Sequence, residues 1–246
     1  MDTVQSYKKI ADKILAFIEE HDHFLLSAHI NADGDAYASM IAVHLLLTAL
    51  KKNSVMILSD AKTVQRYDFL KHFDKILPYS KELDLNTYFP DGKARSAIIL
   101  DVPSYYRLGE VRNLLPDSEH VVKIDHHPIE DNFGGIDWVD TGASSTTAMV
   151  YELYVQSGIK INLDMAKALY TGILYDTGRF SFSNTTARDY SIAAEMLKIG
   201  VRPAEITNRI FFESSFDALK TIGKGLFSLE SHLNGLVNSI YLNQDE

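Results

Sequence analysis

The chain has 246 residues, 46% hydrophobic and 23% charged, with a formal charge of -9 and no cysteine, enough for one large α/β domain with chain to spare. Without cysteine there are no disulfides, thiolate metal sites or thiol nucleophiles, so a metal centre would rest on His and Asp, ligands suited to hard divalent cations. The acidic balance argues against general binding of long double-stranded nucleic acid. No apolar run approaches the ~20 residues of a membrane span, and the start Met1-Asp2-Thr3-Val4-Gln5 lacks the basic and apolar regions of a signal peptide. The expected compartment is the cytoplasm, with no membrane partner.

Residues 7–20 place Ile10, Ile14, Leu15, Phe17 and Ile18 at helical spacing and predict an amphipathic helix. His21 and His23 follow in a polar turn and are given no chemistry. The apolar run Phe24-Leu25-Leu26-Ser27-Ala28 leads into His29-Ile30-Asn31-Ala32-Asp33-Gly34-Asp35 and then a helical pattern over 36–50, which reads as strand, tight turn and helix. At the carboxyl end of a strand in an open α/β sheet, where ligands bind, that turn would carry one imidazole and two carboxylates. Asp-x-Asp alone also fits an acidic helix cap, with Asp35 as the cap, so the stretch by itself supports both readings. His44, among apolar neighbours, reads as a satisfied core histidine, and 54–58 as the second strand.

Residues 60–94 predict a short helix around 64–73, a short apolar run Ile76-Leu77 and a polar loop ending at Pro90-Asp91-Gly92. The continuous apolar run of 96–100 predicts a buried parallel strand that delivers Asp101 to the same sheet edge. Arg107 and Gly109 follow, and an arginine near carboxylates is either a salt-bridge partner or an anion clamp. The strand 120–124 then ends in Asp125-His126-His127-Pro128. A carboxylate and two imidazoles at a strand end are hard to explain by packing, because each would need a buried partner, and here the metal-site reading overtakes the alternative. An edge strand over 134–139, a helix over 146–156 after Thr141-Gly142-Ala143-Ser144-Ser145, and a helix over 163–175 ending at Asp176-Thr177-Gly178 complete the pattern.

His29-x-x-x-Asp33-x-Asp35, Asp101 with Arg107-Leu108-Gly109, Asp125-His126-His127 and Asp176-Thr177-Gly178 occur in that order, each at the end of a predicted element. The series resembles the DHH phosphoesterase family, and spans residues 24 to about 190. Ser144-Ser145-Thr146 and Tyr170-Thr171-Gly172-Ile173-Leu174-Tyr175-Asp176-Thr177-Gly178 resemble its bacterial nanoRNase and pAp-phosphatase type. Two departures occur, Ala32 for the usual proline and Ala38 for the usual glycine, both between ligand positions, and they bear on loop rigidity.

The resemblance implies a doubly wound, largely parallel sheet with helices on both faces and a carboxyl-terminal helical linker. It implies a DHH domain over 1–200, a linker over 201–235 and, over 236–246, the first strand of a truncated DHHA1 domain, since the Gly-Gly-Gly-His motif of that domain does not occur. It also implies two divalent metal ions, usually manganese: one held by His29, Asp33 and Asp101, the other by Asp35, Asp101, His126 and Asp176, with Asp101 bridging. Two such cations about 3.5–4 Å apart activate a water as hydroxide and stabilise the attacking and leaving oxygens of an in-line displacement at phosphorus. Asp125 would orient His126, while His127 and Arg107 would contact the phosphoryl group, His127 as a proton donor. The implied substrates are short oligonucleotides or 3′-phosphoadenosine 5′-phosphate, with a homodimer as the assembly considered. A RecJ-like exonuclease, a cyclic-dinucleotide phosphodiesterase, a pyrophosphatase and a non-catalytic metal- or nucleotide-binding module are the alternatives.

Overall fold

The structure is a computed structural model that describes residues 3–60 and 64–243. The chain divides into two compact units, Met1–Pro203 and Ala204–Glu246.

In the first unit the apolar face of α1 (Thr3–Glu20) buries Ala11, Ile14, Phe17 and Ile18. The central element is β1 (Phe24–Ser27), buried along its whole length. It runs through the ligand-rich turn into α2 (Gly34–Ala49), which is buried from Gly34 to Leu47. A helix that apolar on every side must be covered by other helices as well as by the sheet. β2 (Ser54–Leu58) and the short β3 (Ile76–Pro78) follow. The helix anticipated over 64–73 is instead a pair of single 3-10 turns, Gln65–Tyr67 and Phe73–Lys75. Left-handed His72 (φ 65°) separates the second turn from what precedes it, and a left-handed residue cannot continue a right-handed helix.

β4 (Ser96–Leu100), β5 (Val121–Asp125) and β6 (Ile136–Val139) complete a six-stranded sheet of order β3-β2-β1-β4-β5-β6, parallel throughout. The strand order reverses direction between β1 and β4, so the topological switch point, where such sheets bind ligands, opens beyond the carboxyl ends of these two strands.

α3 (Thr146–Ser157), α4 (Leu163–Asp176) and α5 (Ala187–Ile199) follow. Each starts at a side-chain cap: Ser145 Oγ accepts from Ala148 N at 3.0 Å, Asn162 Oδ1 accepts from Met165 N at 3.0 Å, and Thr186 with Asp189 forms a capping box. α2 packs against α3 and α4, α4 against α5, and α1 against α3. The second core, around Leu25, Val55, Ile57, Ala97, Ile99 and Val121, is closed by Phe89, Val102, Leu108 and Val111. These covering residues come from loops and 3-10 turns, so the helices of that layer are single turns rather than α-helices.

In the second unit α6 (Pro203–Thr207), which begins at its boundary, runs into a π turn over Asn208–Phe212. Next come α7 (Phe216–Phe227) and an antiparallel hairpin of β7 (Glu230–His232) and β8 (Val237–Ser239). The resemblance implies the first strand of a further domain over 236–246, without sheet neighbours of its own. The strand is shorter and is paired within the chain, because Leu233, Asn234 and Gly235, all at positive φ, turn it back on residues 230–232. Residues 244–246 of the anticipated third segment lie outside the described residues. Among the described residues no helix is long and apolar enough to cross a membrane.

Candidate metal centre

Each candidate ligand sits where an element ends. His29 follows β1 and Asp101 follows β4, while Asp125 is the last residue of β5 with His126 and His127 directly after it; Asp176 is the last residue of α4. Asp33 is the N-cap of α2, its Oδ1 accepting from Asp35 N at 3.0 Å and Ala36 N at 3.2 Å. In the alternative reading of the stretch as an acidic cap, Asp35 would be the cap. That residue lies inside the first turn with its side chain fully buried. Asp101 has a left-handed backbone (φ 59°), a conformation costing of order 1–3 kcal/mol for a non-glycine residue, and its N–H is fixed on Ile124 O at 3.0 Å.

The donor atoms converge. His29 Nε2 is 3.6 Å from Asp101 Oδ2 and 3.9 Å from Asp33 Oδ1. His126 Nε2 is 3.0 Å from Asp176 Oδ2 and 3.6 Å from Asp101 Oδ1. Among the described residues three groups have all their ligand atoms within 4.8 Å of one another: His29, Asp33 and Asp101; Asp35, His126 and Asp176; and Asp101, His126 and His127. Asp101 presents one oxygen to each side of the cluster.

Electrostatics favour a cation here. Burial first, then the charges of Asp176 and Asp101, raise the Asp35 carboxyl well above its ordinary range. Burial with the Asp101 charge also raises Asp176, although His126 opposes the shift. Carboxylates that repel one another in a buried site are stabilised by a shared positive charge. Burial disfavours the charged forms of His29 and His126, yet the neighbouring carboxylates outweigh it and hold each near a pKa of about 10. His126 Nε2 and Asp125 Oδ2 are buried without a hydrogen-bond partner. For His126 the 3.0 Å approach to Asp176 is therefore a close contact without hydrogen-bond alignment. Hard carboxylates, imidazoles and an orphaned imidazole nitrogen fit a divalent-metal centre.

Supporting contacts arrive from distant parts of the chain. The amino terminus of α3 holds Asp35, Thr146 N donating to Oδ2 at 2.6 Å and Thr147 N to Oδ1 at 3.0 Å, while Thr146 Oγ1 donates to Asp101 Oδ1 at 3.0 Å. Helix amino termini suit carboxylates for this reason. Buried Lys123 donates from Nζ to Asp131 O at 2.7 Å, and the Asp131 carboxylate accepts from Tyr105 N at 3.0 Å, which ties down the loop after Asp101. Asp60, beyond β2, accepts from Asn31 N and Ala32 N. None of these supports was read from the sequence. For Thr146 a signal existed in Ser144-Ser145-Thr146 at a helix start, and for Asp60 in a carboxylate soon after an apolar strand.

Two roles differ from the sequence reading or are narrowed by the structure. Asp125 holds His127 rather than His126, its Oδ1 accepting from His127 Nδ1 at 2.8 Å and from His127 N at 3.2 Å. An aspartate that accepts from the backbone N–H two residues on forms an Asx turn, and here the same oxygen also meets the His127 ring. Arg107 is exposed, and among the described residues its guanidinium forms no hydrogen bond or ion pair; its backbone O accepts from Ile30 N at 2.7 Å beside His29. Of its two readings the salt bridge is absent. His44 is the satisfied core histidine anticipated, with Nδ1 2.7 Å from Ser54 Oγ and Nε2 3.1 Å from His72 Nδ1.

The comparisons with known proteins agree with this geometry. The chain is 31% identical over 238 residues to a bifunctional oligoribonuclease and PAP phosphatase NrnA from Bacillus subtilis, covering 95% of this chain and 70% of that protein. It is 31% identical over 220 residues to the protein of the same name from Thermus thermophilus, covering 89% of this chain and 63% of that one. A crystal structure of an exopolyphosphatase-related protein from Bacteroides fragilis superposes with a TM-score of 0.87 at 22% identity, over all of this chain and 72% of that one, a likeness of fold. The model of the DHH family, N-terminal domain, matches residues 23–173, a span holding every candidate ligand except Asp176. With ligand-bearing strand ends arranged around the switch point and this match across more than half its length, the chain belongs to the DHH family of phosphoesterases.

Proposed function

We propose that this protein hydrolyses phosphoester bonds in short oligonucleotides, in 3′-phosphoadenosine 5′-phosphate, or in both, with two divalent metal ions, manganese by preference. The observation that carries the reading is Asp101, whose two oxygens face separate clusters of imidazole and carboxylate. His29, Asp33 and Asp101 would hold one ion, and Asp35, Asp101, His126 and Asp176 the other. When bound, such a pair lowers the pKa of water and neutralises charge developing on phosphoryl oxygens.

The remaining residues orient substrate and move protons. His127 is half-exposed, and the Asp125 hydrogen bond raises its pKa. With Nδ1–H donated to Asp125, the protonated ring presents Nε2–H to a leaving oxygen as general acid. Arg107 is exposed and its backbone O accepts from Ile30 N beside His29; its guanidinium would be an anion clamp for a non-bridging phosphoryl oxygen. The relatives' names supply the substrate class. The chain spans 70% and 63% of those two relatives, so substrate choice by the longer proteins is carried over as part of the proposal.

The test is a manganese-supplemented screen of dinucleotides, 3′-phosphoadenosine 5′-phosphate, cyclic dinucleotides and pyrophosphate. Turnover of either of the first two, abolished by chelation, is expected. Turnover confined to cyclic dinucleotides or pyrophosphate would replace the substrate assignment. No turnover by manganese-loaded protein would favour a binding module.

A further inference from the structure

Between His29 and Asp33 lie only three residues, Ile30, Asn31 and Ala32, and they must turn the chain so that an imidazole from a strand end and a carboxylate from a helix start aim at one point. The turn passes through a left-handed residue, Asn31, with φ 56°. Left to itself that conformation is disfavoured for a residue with a side chain, although asparagine tolerates it better than most. All three backbone N–H groups of the turn are engaged. Ile30 N donates to Arg107 O at 2.7 Å. Asn31 N donates to Asp60 Oδ1 at 2.8 Å, and Ala32 N to Asp60 Oδ2 at 3.0 Å.

Asp60 therefore grips the turn with both oxygens. Two successive backbone N–H groups wrapped around an anion form a nest, and hydrogen bonds to an ionised acceptor are roughly twice as strong as neutral ones. The carboxylate is not itself in any of the groups whose ligand atoms converge. We propose that Asp60 is a positioning residue of the metal centre: it fixes the 30–32 turn in the one shape that brings His29 and Asp33 together opposite Asp101.

This inference rests on the metal-centre reading and adds to it a residue outside the ligand set. Partners that orient metal ligands typically contribute 10–100-fold to affinity. The consequence is asymmetric, because the grip acts on the turn that carries His29 and Asp33 and makes no contact with Asp35, which α3 holds, with His126 after β5 or with Asp176 at the end of α4.

The experiment is manganese titration, by calorimetry and by paramagnetic resonance of free manganese, of wild type, Asp60→Asn and Asp60→Ala, without nucleotide substrate. Asn keeps one acceptor and opposes its own N–H₂ to the second N–H; Ala removes both acceptors. The expected result is two ions at saturation in all three proteins, with one dissociation constant raised about 10-fold or more, more by Ala than by Asn, and the other unchanged within twofold. The thermal midpoint of each metal-free variant checks that it is folded, and the isosteric Asn variant carries the test if the Ala variant is not. Both constants unchanged in a folded variant would overturn the proposal. So would loss of one ion at every concentration, which would make Asp60 a ligand, or equal weakening of both ions, which would make its role a general one. If wild type itself binds no ion through His29, the metal-centre reading fails first, and the two failures are distinguishable.

Discussion

Asp101 and Asp33 both contribute carboxylates to the cluster, but only Asp101 faces both halves. Asp101→Ala should weaken both manganese ions, whereas Asp33→Ala should weaken one and also remove a helix cap, with a loss of about 1 kcal/mol in stability. Manganese titration with parallel denaturation measures both effects, and a single ion lost equally in the two variants would contradict the bridging role. His127 and Asp125 form a pair at 2.8 Å. His127→Ala and Asp125→Asn should each retain two ions and lower turnover, His127→Ala by roughly 100-fold as expected for loss of a general acid. Loss of manganese from His127→Ala would instead select the third convergent group, in which His127 is a ligand. The acid–base state of the metal-free centre gives another test. His29 and His126, held near about 10 by carboxylates despite burial, carry protons at neutral pH that a cation must displace. Metal binding near pH 7 should release protons, and affinity should rise with pH. Calorimetry in buffers of different ionisation enthalpy would read the proton count, and no release would show that the imidazoles are already neutral.

At the scale of elements, the site depends on how closely α4 approaches α2 and α3. A Cβ on Gly172 would lie 2.1 Å from Thr147 Oγ1 and 2.6 Å from Asp35 Oδ1, and one on Gly34 would lie 2.3 Å from the Tyr175 ring. Glycine to alanine within a helix ordinarily gains up to ~1 kcal/mol. Here overpacking should outweigh that gain, at about 1–3 kcal/mol. Gly172→Ala is therefore expected to lower stability in chemical denaturation and to weaken the ion held by Asp35, His126 and Asp176 more than the other. A stabilised variant with unchanged manganese affinity would show that α4 can move away without consequence for the centre.

For the molecule as a whole, the division after Pro203 leaves every candidate ligand in the first unit. That unit has a six-stranded parallel sheet, and its helices α2, α3, α4 and α5 start at side-chain caps. A fragment of residues 1–203 should unfold cooperatively and bind two manganese ions with affinities within twofold of the full chain, measured by titration. Weaker binding would assign the second unit a part in the centre. The second unit exposes Phe216, Leu219, Ile222 and Leu226 along α7.

The strands that bear the ligands, and the residues they deliver, are legible in the amino-acid pattern alone. The apolar runs at 24–28 and 96–100, and the strand pattern of 120–124 interrupted by Lys123, suit a sheet covered on both faces, and each is followed by polar groups that burial would otherwise forbid. That pattern is local, so Asp101, Asp125, His126 and the His29 turn were legible as one sheet edge. The tertiary structure decided what is paired across sequence distance. Asp35 meets Thr146 and Thr147 over more than a hundred residues, Asp60 meets Asn31 and Ala32 over nearly thirty, and Lys123 meets the loop that fixes Tyr105. The choice of His127 over His126 as the partner of Asp125 depended on the turn just after β5, where one carboxylate oxygen meets both the backbone N–H and the ring of His127. Such contacts leave no periodicity in the chain, because a hydrogen bond to a backbone N–H places no demand on the residue type that donates it.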